Sequence, residues 1–260
     1  MAKGPKVLFL DIETAPILGY VWSLWEQNVA LNQIKQDWFI LSWSAKWLGS
    51  KDLLYADQRK AKNIENDRSL IKPLWRLLNQ ADIIVTQNGK KFDAKKLNAR
   101  FILNGMKPTS HYRHIDTLVL AKKHFAFTSN KLEYMTDKLC VKYKKLKHHK
   151  FQGFELWKEC LAGNLAAWRE MEKYNKHDVL ALEELYEKLS PWDTSLSFNV
   201  YHNREDTVCQ CGHPAMQRRG YRYTSNGKYQ SYQCKRCGAF YQSKENLLTG
   251  IKRKTMLKGG

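Results

Sequence analysis

Residues Val7–Leu10 form a short apolar run that ends directly on an acidic pair, Asp11 and Glu13, within the stretch VLFLDIETAP. Four consecutive β-forming apolar residues read as a strand buried on both faces, so the chain must build a sheet covered by other elements on each side. Side chains two apart on an extended chain point the same way, so the two carboxylates converge just beyond the strand's end. Two anions that close repel unless a cation lies between them, and an oxygen-only donor set suits Mg²⁺ or Mn²⁺. Taken alone, D-x-E reads more simply as a strand leaving the core into a solvated acidic turn.

The rest of the chain supplies the context. Asp37–Trp47 and Lys51–Ala56, separated by Leu48-Gly49-Ser50, predict a hairpin. Leu70, Ile71, Leu74, Leu77 and Leu78 recur at helical spacing between Glu65 and Gln80, where Pro73 should kink the helix or shift its start. Ile83-Ile84-Val85 predicts a buried strand, followed by a turn and a helix that Gly105 ends. A strand after a helix implies a crossover, hence a mixed sheet flanked by helices. Residues 116–137 read as helical, and Asn164 caps a long helix reaching Leu189.

Two more carboxylates stand where apolar residues are expected or where a crevice should open. The last helix carries an apolar stripe at Trp168, Met171, Leu182, Leu185 and Leu189, and Asp178 falls on it. A carboxylate on a core-facing stripe is costly unless a cation or pocket compensates it. Tyr174 lies one turn earlier on the same side, where it reads either as ordinary core satisfying Asp178 or as part of a shared site. Asp93, shortly after Asn88-Gly89, reads as a helix-capping aspartate or as a ligand in the crevice beyond the strand ends.

The charge balance points to a polyanionic partner. The 260 residues carry 44 Lys and Arg against 25 Asp and Glu, a net charge of +19, as expected for nucleic-acid binding. A basic run from Lys138 to Lys150 reads equally as a solvated loop or as a phosphate contact. Residues 201–260 hold twelve Lys or Arg against three acidic residues. Within them Cys209-x-Cys211 and Cys234-x-x-Cys237 have the paired spacing of a zinc ribbon with one structural Zn²⁺. The first knuckle departs from C-x-x-C, which leaves His213 as an alternative ligand. Arg218, Arg219, Arg222, Tyr223 and Arg236 interleave basic and aromatic groups in the manner of single-strand binders, or pack on one another as a hairpin. With no apolar stretch long enough for a membrane helix and no disulfide framework, the expectation is a soluble cytoplasmic protein.

At this point the motifs resemble a known family. LFLDIETAP, VTQNGKKFDAKKL and YNKHDVLAL resemble, in order, the three exonuclease motifs of the DnaQ-like (DEDD) 3'-to-5' exonucleases, which adopt an RNase H-like fold; the resemblance spans residues 6–190. One subgroup has His five residues before the last Asp, where this chain has Lys173; the other has Tyr four before, matched by Tyr174. The chain is therefore similar to the tyrosine (DEDDy) type, which includes the proofreading domains of family B DNA polymerases and small stand-alone phage and bacterial exonucleases. The resemblance implies Asp11, Glu13, Asp93 and Asp178 as ligands of two Mg²⁺ or Mn²⁺ ions, Asp93 directly or through water. It implies Tyr174 as the group orienting the attacking water, Thr14 and Asn88 near the 3'-terminal nucleotide, and Asp116 in a structural role.

The expected organisation is an exonuclease domain over residues 1–192, a linker over 193–207, a zinc ribbon over 208–242 and a basic, disordered tail over 243–260. The expected function is removal of nucleotides from single-stranded DNA ends. Alternatives are a 3' exoribonuclease, an inactive nucleic-acid-binding adaptor serving replication or recombination proteins, and a structure-specific or strand-transferring nuclease.

Overall fold

A computed structural model describes residues 4–144, 146, 150–193, 195–201 and 207–257. In chain order the elements are β1 (Val7–Thr14), β2 (Leu18–Gly19), β3 (Ile34–Gln36), β4 (Ile40–Trp47), β5 (Leu53–Asp57), α1 (Arg68–Leu78), β6 (Ile83–Thr86), α2 (Asp93–Leu103) and β7 (Arg113–Asp116). They continue as α3 (Thr117–His124), α4 (Leu132–Leu139), α5 (Glu155–Leu161), α6 (Leu165–Leu189), β8 (Met216–Thr224), β9 (Gly227–Cys234), β10 (Phe240–Gln242) and α7 (Gly250–Lys254). The chain divides into two compact units, Lys6–Tyr186 and Glu187–Gly260 with the first residues up to Pro5.

The larger unit is built on a five-stranded mixed sheet of order β5-β4-β1-β6-β7. β1 is central, antiparallel to β4 and parallel to β6, as a strand buried on both faces should be. Its alternate side chains feed two cores. Leu8, Leu10 and Ile12 pack with Leu70, Ile71 and Leu74 of α1 and Leu97 and Phe101 of α2. On the opposite side of β1, Phe9 meets the ring of Tyr186 on α6 at 5.6 Å. A further core on the α5–α6 side joins Phe39 and Leu41 to Leu156, Cys160, Trp168 and Met171. The strand runs past its apolar section to Thr14, so Asp11 and Glu13 lie within β1, on the Phe9 side, rather than beyond its end.

Asp67, just before α1, shows how this unit buries a structural charge. It is fully buried, accepts the Ile40 N–H at 2.9 Å, holds the Arg100 guanidinium through Nε and Nη2 at 2.7 and 2.8 Å, and accepts Asn104 Nδ2 at 3.0 Å. A bidentate guanidinium with two further donors is the complete satisfaction a buried carboxylate requires.

Several local expectations change. α1 starts at Arg68 and runs through Pro73. The single helix expected over 116–137 is two, because Phe125 turns to an extended backbone and stacks on Phe127 at 4.9 Å, and the Ser129 hydroxyl then accepts the Lys131 N–H at 3.3 Å. Part of the expected linker is a short 3-10 turn, Phe198–Tyr201. The tail expected to be disordered contains α7, capped by Thr249, whose side chain accepts the Lys252 N–H at 3.2 Å. Of the basic run, Lys145, Lys147, His148 and His149 lie outside the described residues.

The smaller unit contains a three-stranded antiparallel sheet of order β10-β9-β8. Its apolar cluster is little more than Cys209, Cys234 and Ala239, flanked by Cys211, Met216, Cys237 and Tyr241. So small a core does not hold a sheet together unaided. No helix among the described residues is long and apolar enough to cross a membrane.

Candidate functional site

The pairing of β1 with β6 ends at Phe9↔Val85, whereas its pairing with β4 continues to Thr14↔Ile40. Beyond the end of β6 the main chain of β1 therefore has no neighbouring strand on that side. The Ile12 N–H is taken instead by Asp93 Oδ1 at 3.2 Å. This brings the first residue of α2 to the edge of β1 at Ile12, in the crevice past the carboxyl ends of the parallel strands. Asp93 is buried and sits within the first turn of its own helix, yet its side chain is spent on another element.

A cavity of about 600 Å³ opens there. Asp11, Glu13, Asp93 and Asp178 all line it, together with Tyr174 and Asn88. Four carboxylates from β1, α2 and α6 thus share one space, and Asp178 is a buried residue on the core-facing side of α6. Thr14, at the end of β1, is not among the lining residues.

The electrostatics follow from crowding and burial. Burial pushes the Asp93 carboxyl up to about 7, with the neighbouring Asp116 charge adding to the effect. The Tyr174 phenol is raised far above the ordinary tyrosine range, first by burial and then by the charges of Asp178, Glu13 and Asp11. Tyr174 stays protonated at any physiological pH and hydrogen-bonds Asp178.

The loop beneath Asn88 is tied from below. Asp116 accepts the N–H groups of Asn88, Lys90 and Leu118 at 2.9, 3.1 and 3.0 Å, so one carboxylate caps α3 and shapes the turn that leads to Asp93. Asn88 adopts a positive φ of 63°. Gly89 is the contact point: a Cβ there would lie 2.2 Å from Thr86 Oγ1 and 2.9 Å from Asp93 Oδ2. Only glycine lets the turn approach the carboxylate.

Sequence reading missed other lining groups, including Gln87, Phe92, Lys122, Asn130 and Lys131. Gln87 Nε2 donates to the Asn130 carbonyl at 3.0 Å, which holds the segment between α3 and α4 against the cavity. That segment was hidden by the expectation of a continuous helix. Behind the cavity Asn175, fully buried, contacts Asp11. Its signal was available, because it falls on the stripe four residues after Met171 and three before Asp178.

The donor set fits divalent cations: oxygen ligands only, several of them anionic, converging from three elements. In the smaller unit the sulfurs of Cys209, Cys211, Cys234 and Cys237 all lie within 4.8 Å of one another. Cys209 and Cys237 are 3.5 Å apart and Cys211 and Cys234 3.7 Å, close to the roughly 3.8 Å edge of a tetrahedron with Zn–S bonds of about 2.3 Å. The C-x-C spacing therefore still delivers both thiols. The His213 ring instead accepts the Ala215 N–H at 3.3 Å. Although burial opposes it, the N–H groups of Cys237 and Arg236 draw the Cys234 thiol down to about 7. Arg218, Arg219, Arg222, Tyr223 and Arg236 are all exposed in this unit, and Lys228 lies over the Tyr221 ring at 3.9 Å.

Comparison with known proteins places the fold. Among solved structures the chain is similar to the family B DNA polymerase from the hyperthermophilic archaeon Pyrobaculum calidifontis, with a TM-score of 0.51 and 16% identity over 73% of this chain. The match covers 25% of that polymerase, so the likeness concerns the fold of one part of it. No curated protein sequence matches the chain. A family model described as RNase_H superfamily matches residues 44–190, a span that includes Asp93, Tyr174 and Asp178. With a mixed sheet flanked by helices and more than half its length matched, the chain belongs to the RNase H superfamily.

Proposed function

We propose that this chain is a metal-dependent 3'-to-5' exonuclease of the tyrosine (DEDDy) type that shortens single-stranded DNA. The observation that carries the reading is the convergence of Asp11, Glu13, Asp93 and Asp178, with Tyr174, on one cavity. The fold, shared with part of a DNA polymerase, supports nuclease chemistry; the direction and the preference for single-stranded DNA come with the motif resemblance.

Asp11, Glu13, Asp93 and Asp178 would hold two Mg²⁺ or Mn²⁺ ions. Bound there, the ions supply an activated water and stabilise the leaving oxygen of the phosphodiester. The protein's own groups do the rest. Tyr174, held protonated by burial and by its acidic neighbours, orients the attacking water by hydrogen bonding rather than removing its proton. Asp93, whose burial favours the neutral acid, becomes fully anionic only with a cation beside it, so site assembly and metal loading are linked. Lys122 and Lys131 on the cavity wall offset phosphate charge, and Asn88 meets the terminal nucleotide. The four-thiol cluster holds one structural Zn²⁺, and the exposed Arg218, Arg219, Arg222, Tyr223 and Arg236 engage the strand.

The test is degradation of 5'-labelled and 3'-labelled single-stranded DNA with Mn²⁺, beside matched RNA, for the wild type and Asp178→Ala. A ladder from the 5' label, immediate mononucleotide from the 3' label and an inactive variant are expected. Rapid loss of RNA with intact DNA overturns the substrate, and no product from either overturns the enzyme.

A further inference from the structure

Asn175 is fully buried on α6, one residue past Tyr174 and three before Asp178. A buried amide must place two donors and an acceptor, and what it chooses reports what it is for. Asn175 Nδ2 donates to Asp11 Oδ2 at 2.5 Å and lies 3.4 Å from the Asp11 carbonyl oxygen. Asn175 Oδ1 accepts from the Ser42 hydroxyl at 3.3 Å. Ser42, also buried, sits on β4 directly across from Glu13 in the strand register. The orientation of the amide is fixed by charge: flipped, it would set a carbonyl oxygen against a carboxylate oxygen at the same short distance.

We infer that Asn175, oriented by Ser42, is a positioning residue that fixes the rotation of the Asp11 carboxylate for a divalent cation. The inference rests on the two-metal reading of the site. An amide suits this task better than a cation. Lysine or arginine would hold Asp11 more strongly but would cancel the charge a metal ion needs, as Arg100 does at Asp67. A neutral donor restrains the carboxylate and leaves its full negative charge. Asp93 accepts a neutral donor too, the Ile12 main-chain N–H. Groups of this kind around metal ligands are worth about 10- to 100-fold in affinity.

The experiment measures Mn²⁺ binding to nucleic-acid-free protein by the loss of free-Mn²⁺ paramagnetic resonance, alongside the Mn²⁺ concentration giving half-maximal hydrolysis. Asn175→Asp keeps the shape and removes the donor; Asn175→Ala removes both, and Ser42→Ala leaves the amide unoriented. Binding should weaken about 10- to 100-fold in the two Asn175 variants and by a smaller factor in Ser42→Ala. The half-maximal Mn²⁺ concentration should rise in parallel, with rates at saturating Mn²⁺ recovering most of the wild-type value. If either Asn175 variant does not fold, the other and Ser42→Ala decide. Wild-type Mn²⁺ affinity in the folded variants, or tighter binding in Asn175→Asp, overturns the inference alone. A wild type that binds no Mn²⁺ overturns the two-metal reading and this inference with it.

Discussion

Asp67 and the acids around the cavity lie within the same unit and are treated in opposite ways. Asp67 is surrounded by cationic and neutral donors: a bidentate Arg100, Asn104 and the Ile40 N–H. Around the cavity, Asp11 and Asp93 receive neutral donors from Asn175 and from the Ile12 main chain, and Asp178 and Glu13 crowd the same space. The first arrangement is complete in charge as well as in hydrogen bonds. The second gathers four acids on one cavity, a donor set that a divalent cation fits. Burial alone therefore does not mark a candidate metal ligand; Asp67 is set apart by its bidentate guanidinium.

That contrast makes its largest prediction at the thiols, the other place where like groups crowd together. One Zn²⁺ per chain is expected by elemental analysis, and stripping it should unfold the β8–β10 sheet, since structural zinc contributes about 10–16 kcal/mol to such modules. Unchanged hydrogen-exchange protection of β9 after metal removal would break the analogy between the two clusters. Next in size, Asp93→Asn should lower the hydrolysis rate by at least about 10³-fold, roughly 4 kcal/mol of barrier, without loss of thermal stability. Asp67→Asn should do the reverse: about 3–5 kcal/mol of stability lost in urea unfolding, because Arg100 is left buried without its partner. If both variants lose stability equally, the distinction fails.

Gly89→Ala sharpens the comparison from the side of shape. A Cβ 2.9 Å from Asp93 Oδ2 and 2.2 Å from Thr86 Oγ1 must displace the turn, at about 1–3 kcal/mol of stability. Hydrolysis should suffer more than folding, read as a greater loss of rate than of urea midpoint. A further effect is one of pH. In EDTA, folded Asp93 holds its proton up to about pH 7 whereas the unfolded chain releases it near 3.8. The native state then binds more protons across that window, so stability should fall as pH rises through it. Mn²⁺ should flatten the slope, and Asp93→Asn should remove it.

Much of the site was legible because its elements carry local contradictions. An apolar strand running straight into Asp11 and Glu13, and an apolar stripe interrupted by Asp178, conflict with simple burial and so advertise themselves. Asn175 lies on that same stripe but is not charged, and a neutral amide raises no comparable alarm. The central sheet was readable from short apolar runs and the crossover, and the hairpin of β4 and β5 from its turn residues. The break between α3 and α4 was not, because Phe125 and Phe127 satisfy a helical pattern and only their mutual stacking takes them out of it. Asp67 was invisible for another reason: its partners stand 27 to 37 residues away, and no spacing rule links them.

The hydrogen bond from the Ile12 amide to Asp93 has a consequence for how this protein can vary and how it should be mutated. A donor that belongs to the peptide backbone is present for every residue but proline at position 12, so selection can change that residue among the others provided the new one packs. Alanine scanning will record position 12 as a packing residue and miss its second task altogether. Replacing that one amide by an ester linkage through semisynthesis would delete the donor while keeping the side chain, at the cost of a weaker Asp11 carbonyl acceptor, and would show how much of an acidic centre can be wired without leaving a trace in the genetic code.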